Sequence, residues 1–293
     1  MRIAIAIHGG AGTVAREDMT QARQAAYRKG LEAALEAGYA VLKKRGTALD
    51  AVCAAVVELE DDPLFNAGRG ACFNAEEKHE LDASIMDGAT LKAGAVAAVK
   101  RIRNPVLAAR AVMERSRHVL LVGPGAERFA RKHRLELVPE SYFSTPARLA
   151  ALRKRLHDHH GTVGAVALDA SDNLAAATST GGYTGKLPGR VGDSPIIGAG
   201  NYAENGVCAV SGTGLGEAFM RSVLAYDVAA RMRYRGEPLA RAADAALDKV
   251  RQLKGDGGLI AVDRRGNIAM PFNSEGMYRA AVDGHGRRRI AIY

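Results

Sequence analysis

At the head of the chain Ile3, Ile5 and Ile7 alternate with alanine, the period-2 pattern of a β-strand. A helix-like segment rich in Ala, Leu, Glu and Lys follows, from about Thr20 to Lys44. A second begins near Thr47, where Asp50 resembles the far end of a capping box, and AVCAAVVELE is apolar enough for a buried helix. Pro63, Gly68 and Gly70 then mark DDPLFNAGRGACFN as turn-rich. ELDASIMDG and LKAGAVAAVK read as strands with a turn at Asp87-Gly88. NPVLAARAVMER predicts a helix with Pro105 in its first turn, HVLLVG a short strand and GAERFARKH another helix.

From Pro139 to Gly161 the pattern fades into a polar, basic stretch, expected to be a surface linker over about 139–161. The β pattern returns abruptly at Thr162. Two segments then echo each other: Gly161 to Gly182 and Gly255 to Gly276. Each runs from glycine into a short apolar strand ending at Asp169 or Asp263, turns to Asn173 or Asn267, and returns. They predict two hairpins of one build, side by side in a single sheet. Between them GEAFMRSVLAYDVAARMRY and PLARAADAALDKVRQL read as two long helices. Helices in pairs and strands in hairpins, with no regular βα alternation, argue for antiparallel sheets covered by helices.

Composition narrows the class. The 293 residues allow one large domain or two small ones, and 47% hydrophobic with 25% charged residues is the make-up of a soluble globular protein. No apolar run approaches the roughly 20 residues that span a bilayer. Cys53, Cys72 and Cys208 are scattered without CxxC spacing, which points to reduced thiols in a cytoplasm and to no zinc site. The opening strand is too short for an export segment. The net charge of +9 raises nucleic acid, with clusters at Arg128 to Arg134, Arg153 to Arg155 and Arg287 to Arg289. Aromatics at 5%, no tryptophan and no RNA-binding motif argue against it and for solvated helix faces. The run His157, Asp158, His159, His160 has the ligand types of a metal site but no partner cluster, and reads as a solvated tail.

Four glycine-rich clusters carry hydroxyls or charge: HGGAG (His8 to Gly12), GTVGAV (Gly161 to Val166), TSTGG with KLPGRVGD (Thr178 to Asp193), and SGTGLGE (Ser211 to Glu217). A threonine hydroxyl needs a base to become a nucleophile. Cutting the Gly161–Thr162 bond would place a free α-amine, of pKa about 7.7 to 8.0, on the same residue as the hydroxyl. Arg190 and Asp193 mirror a zwitterion, as a free amino-acid end presents.

These motifs, with LEDDPLFNAGRGACFN, HELDASIMDG, GGLIAVD and PFNSEGMYR, resemble the plant-type (type III) L-asparaginases, also called isoaspartyl peptidases, which are N-terminal nucleophile hydrolases. The resemblance covers nearly the whole chain apart from the linker. It implies an α+β fold, a four-layer αββα sandwich in one domain over 1–293, cut into an α subunit, 1–161, and a β subunit, 162–293. Thr162 would be the nucleophile and Thr180 would tune it. Thr213 and Gly214 would form the oxyanion hole, Arg190 would hold a substrate α-carboxylate bidentately and Asp193 an α-ammonium, with Gly216 beside them. Asn66 and Gly10 would support the site. Backbone carbonyls of Leu59, Glu60, Asp62, Phe65, Ala67 and Arg69 would hold a structural sodium or other alkali ion, with no catalytic cofactor. Asp62 and Arg69 put unexpected charges in that loop, and Leu215 stands where a polar residue is commoner. The implied substrates are L-asparagine and isoaspartyl dipeptides, and the implied assembly is a dimer of αβ units, without nucleic acid or membrane. Glycosylasparaginase is the nearest alternative, a threonine protease acting on folded proteins a further one, and a non-catalytic basic binding protein the alternative from another class.

Overall fold

The computed structural model describes residues 2–12, 19–154 and 161–293. Side-chain alternation sets its layering, since successive residues of a strand face opposite ways. On β1 (Ala4–Gly12), Ile5 and Ile7 enter one core, Ala4 and Ala6 another. β5 (Val163–Leu168) divides Val163, Ala165 and Ala167 from Val166 and Leu168 in the same way. β9 (Gly257–Asp263) divides Leu259 and Ala261 from Ile260 and Val262. Strands buried on both faces require two sheets face to face with helices outside them.

The larger sheet runs β12 (Arg288–Ala291), β11 (Gly276–Val282), β1, β5, β6 (Leu174–Thr180), β2 (Leu81–Asp87), β3 (Ala93–Val99), β4 (Leu120–Val122). The smaller runs β10 (Ile268–Ala269), β9, β8 (Cys208–Gly214), β7 (Asn201–Glu204). Neighbours are antiparallel except β3 and β4, which are parallel and joined through α3 (Pro105–Arg115). With α3, the helices α1 (Gln21–Lys43), α2 (Ala48–Asp61) and α4 (Gly123–Lys132) cover the larger sheet. The helices α6 (Gly216–Ser222), α7 (Leu224–Arg235) and α8 (Leu239–Gln252) cover the smaller one. This is the expected αββα sandwich. The Thr47 hydroxyl accepts from the Asp50 N–H and donates to its carboxylate, as the capping pattern predicts.

Three expectations are corrected. The two echoing hairpins are not sheet neighbours: β5–β6 lies in the larger sheet and β9–β10 in the smaller. Their likeness reflects a shared task, since Val166 and Leu168 meet Ile260 and Val262 in the core between the sheets. The long helix expected after Gly216 breaks at Val223, which takes a left-handed φ of 50°. The break lets the Ala225 and Tyr226 N–H groups bond the carbonyls of Ala199 and Gly198, tying α7 to the loop before β7. The linker is built structure at least as far as Lys154: a 3-10 turn (Glu140–Phe143) buries Phe143, and α5 (Pro146–Arg153) starts from a Thr145 cap. The run His157 to His160 lies outside the described residues. Among the described residues no helix is long and apolar enough to cross a membrane.

Candidate active site

The same alternation that fills the inter-sheet core delivers hydroxyls to its end. Thr162 is in phase with Val166 and Leu168, Thr178 and Thr180 with Leu174 and Ala176, Ser211 and Thr213 with Ala209, and His8 with Ala4 and Ala6. All six polar residues are buried. The pairings β1–β5, β5–β6 and β8–β9 hold them in place.

The Gly161–Thr162 peptide sits at the centre of this set, its Gly161 carbonyl doubly held. Asn66 Nδ2 donates to it at 2.6 Å and the Thr180 hydroxyl at 2.9 Å. Thr180 Oγ1 in turn accepts from the Thr162 hydroxyl at 3.1 Å and from the Gly182 N–H at 2.9 Å. One proton donated and two accepted use the full capacity of a hydroxyl. Asn66 is fixed from every side, donating also to the Gly182 carbonyl and accepting from the Cys72 N–H, while its own carbonyl accepts from Gly181. Gly10 lies against this peptide: at φ +113°, a Cβ there would come within 3.1 Å of Gly161 Cα and 3.4 Å of the Thr162 nitrogen.

Beneath Thr162 runs a relay that the sequence did not reveal. His8 Nδ1 meets the Thr162 carbonyl at 2.9 Å, which makes that nitrogen the donor. Nε2 must then accept from the Ser211 hydroxyl, 2.9 Å away, and Thr178 lies 2.7 Å beyond Ser211. Burial pushes the imidazole down to about 3, against the pull of the Thr162 carbonyl, so His8 is neutral at physiological pH.

Thr162, Thr180, Arg190, Asp193, Ser194 and Gly214 line a narrow recess, with room for about one water molecule. Thr213 lies next to it: its hydroxyl accepts from the Ala11 N–H at 3.0 Å, leaving its proton to donate. Gly214 must be glycine, since at φ +149° a Cβ would fall 2.2 Å from the Asp256 carbonyl oxygen. Asp193 is fully buried with Oδ2 unpartnered, and burial pushes its carboxyl up to about 7 although Arg190 opposes the shift. Arg190 differs from expectation. Its Nε and Nη2 make a bidentate pair with Glu217, both at 2.9 Å, and its guanidinium stacks over Tyr183. The fork expected to face a substrate is filled by Glu217, which leaves Nη1 as its open end. Glu217 stood in the SGTGLGE motif, but no spacing rule connects it to Arg190. Gly216 backs the pair: a Cβ there would lie 2.8 Å from both Arg190 Nη2 and Asp193 Oδ1. A roomier cleft of about 670 Å³, by α8 and the β9–β10 turn, shares none of these residues.

The end of α2 presents main-chain carbonyls where the alkali ion was expected. The Leu59 carbonyl lacks a helical partner because residue 63 is proline, and the Leu64 N–H that would serve Glu60 bonds Asp62 Oδ1 instead. The loop then closes so tightly that a Cβ on Gly68 would lie 2.3 Å from the Glu60 carbonyl oxygen, and one on Gly70 2.1 Å from that of Phe65. The Leu59 and Glu60 carbonyls are thus left to a hard cation, while those of Asp62 and Ala67 also accept from the Phe65 and Gly70 N–H groups and would offer it their second lone pair. The unexpected charges do not obstruct it: Arg69 is exposed, over the Tyr142 ring, and Asp62 is occupied with Leu64. The Glu60 carboxyl faces elsewhere, accepting from Ser179 and from the Val106 N–H, and burial raises it to about 8. Among the described residues no cluster of three or more His, Cys, Asp or Glu side chains could hold a metal.

A threonine hydroxyl, a doubly held peptide carbonyl and a recess with a guanidinium and a carboxyl thus meet at one end of the inter-sheet core. The chain belongs to the asparaginase family, whose model matches residues 1–292. It is 55% identical to an isoaspartyl peptidase of Escherichia coli (strain K12), over 94% of this chain and 91% of that protein. It is 44% identical to an isoaspartyl peptidase/L-asparaginase of Mus musculus, over 96% of this chain and 88% of that one.

Proposed function

We propose that this hydrolase cleaves the side-chain amide of L-asparagine and of β-aspartyl dipeptides, and that it first cuts its own chain between Gly161 and Thr162. The observation that carries this reading is the Gly161 carbonyl, held by two donors with the Thr162 hydroxyl bonded to one of them. In the cut, Thr162 Oγ1 attacks the Gly161 carbonyl carbon. Asn66 Nδ2 and the Thr180 hydroxyl stabilise the oxyanion, the C–N bond breaks, and the hydroxyl proton ends on the new Thr162 amine. Water then hydrolyses the ester, freeing the Gly161 carboxyl.

The mature site reuses the Thr162 hydroxyl with a different pair of oxyanion donors. The Thr162 α-amine takes the hydroxyl proton, and Oγ1 attacks the substrate's side-chain carbonyl. The Thr213 hydroxyl and the Gly214 N–H receive the oxyanion, where losing one donor costs ~10²–10³ in rate. The leaving amine takes the proton back, and water releases aspartate from the β-aspartyl ester. Asp193 meets the α-ammonium, and Arg190 meets the α-carboxylate through its open end. The recess has no space for such a substrate while Gly161 is joined to Thr162, so the uncut chain is inactive. An alkali ion on the carbonyls of Leu59, Glu60, Asp62, Phe65, Ala67 and Arg69 would brace the loop that carries Asn66 and take no part in a chemical step. The mature unit is an αβ pair that dimerises in the cytoplasm.

Intact mass and N-terminal sequencing of fresh and incubated protein test this. Two fragments, one beginning TVGAVALD, with β-aspartyl hydrolysis following the cut, are expected. Thr162→Ala should stay whole and inactive. A Thr162→Ala protein that is processed and active would end the assignment.

A further inference from the structure

The 3-10 turn Glu140–Phe143 and α5 (Pro146–Arg153) dock beside the loop that holds Asn66. Phe143 is fully buried near His79, and His79 Nε2 lies 3.1 Å from the Ser144 hydroxyl. The Tyr142 hydroxyl reaches Asp61. From α5, Arg148 adds a contact of a different kind. Its Nε donates to the Gly70 carbonyl at 2.7 Å and its Nη2 to the Leu64 carbonyl at 3.3 Å. Both partners are main-chain oxygens of one tight loop, and they bracket Asn66 in sequence.

A guanidinium is a rigid planar fork, so two bonds from one side chain fix both the spacing and the orientation of the carbonyls they grip. Those carbonyls belong to the turn whose closure aims Asn66 Nδ2 at the Gly161 oxygen. Asn66 also takes part in holding Gly181 and Gly182. A shift of the turn would therefore move a donor away from the scissile carbonyl while the sheet stays in place. α5 itself belongs to the stretch that ends at Gly161, so one arm of the future cut chain fixes the donor at which the cut occurs.

We infer that Arg148 is a positioning residue for self-cleavage: by gripping the Leu64 and Gly70 carbonyls it holds Asn66 against the Gly161 carbonyl. This rests on the Gly161–Thr162 bond being the one that is cut. Phe143, Tyr142 and Ser144 keep the segment docked without Arg148, so the substitution acts on the turn and not on the fold.

The test is a time course of intact mass on freshly purified wild type, Arg148→Ala, Arg148→Lys, Asn66→Ala and Arg148→Ala/Asn66→Ala, with thermal melts on each. Arg148→Ala should cut about 10- to 100-fold more slowly, the cost of a displaced catalytic group. Arg148→Lys, which keeps a donor but loses the fork, should fall between it and wild type, and it serves if the alanine variant fails to fold. In the Asn66→Ala background the loss of Arg148 should add nothing further, because both act through one side chain. Cleavage of Arg148→Ala at the wild-type rate, or a slowing that multiplies with that of Asn66→Ala, overturns the inference. Wild type that never cuts at Gly161–Thr162 removes the underlying reading instead, and the two failures are told apart by the wild-type lane.

Discussion

Thr180→Val separates the chemistry of the proposed cleavage centre from its packing. Valine keeps the branched shape on β6 and the burial of the site, and removes only the hydroxyl. Three bonds go with it: the donation to the Gly161 carbonyl, and the acceptances from the Thr162 hydroxyl and the Gly182 N–H. The Gly161 carbonyl keeps Asn66, so it does not become an orphan in the folded state. The Gly182 N–H loses its Thr180 partner in a buried place, which costs about 1–3 kcal/mol of stability. The effect on the cut is larger, because one of two donors to the developing oxyanion is gone: ~10²–10³ in rate. Intact mass against time gives the rate. Urea unfolding of Thr162→Ala with and without Thr180→Val gives the stability, free of interference from cleavage. A Thr180→Val chain that cuts at the wild-type rate would refute the role given to this hydroxyl, whatever its stability.

Two further outcomes follow from the substrate end of the site. Gly216→Ala should still mature but lose about 10- to 100-fold in kcat/KM on β-aspartyl substrates, because its Cβ would sit 2.8 Å from Arg190 Nη2 and Asp193 Oδ1; unchanged kinetics would show that this pair does not meet the substrate. Burial raises the Asp193 carboxyl from 3.8 to about 7, so its stabilising contribution is fully present below about pH 4 and is lost as pH rises through about 7. In uncut Thr162→Ala protein, Tm should therefore fall from about pH 5 to about pH 8 by more than it does in Thr162→Ala/Asp193→Asn. His8 and Glu60 are common to both proteins, so equal pH slopes would place the Asp193 carboxyl at an ordinary pKa.

What the sequence determined by itself was the family, the set of candidate groups and the layering. Alternation on β1, β5 and β9 is a property of the local chain, and strands apolar on both faces can only lie between other layers. The parity that puts Val166 and Leu168 in the inter-sheet core also puts Thr162 there, so the direction of the proposed nucleophile was legible once its strand was. The glycine-rich motifs gave the hydroxyls, Arg190 and Asp193 for the same reason: each is a short stretch whose residue types limit what it can do. Tertiary structure decided the partners. Glu217 fills the fork of Arg190 because two distant loops meet, and His8 reaches Ser211 because β1 and β8 face each other in different sheets. The echoing hairpins carried no mark of which sheet each would join, since a hairpin pattern fixes its own pairing and not its neighbours. The apparent linker misled because its order comes from Phe143 and Arg148 docking on the Asn66 loop, and not from a periodicity of its own. Local pattern specifies which way a side chain points; only the folded chain specifies what it meets there.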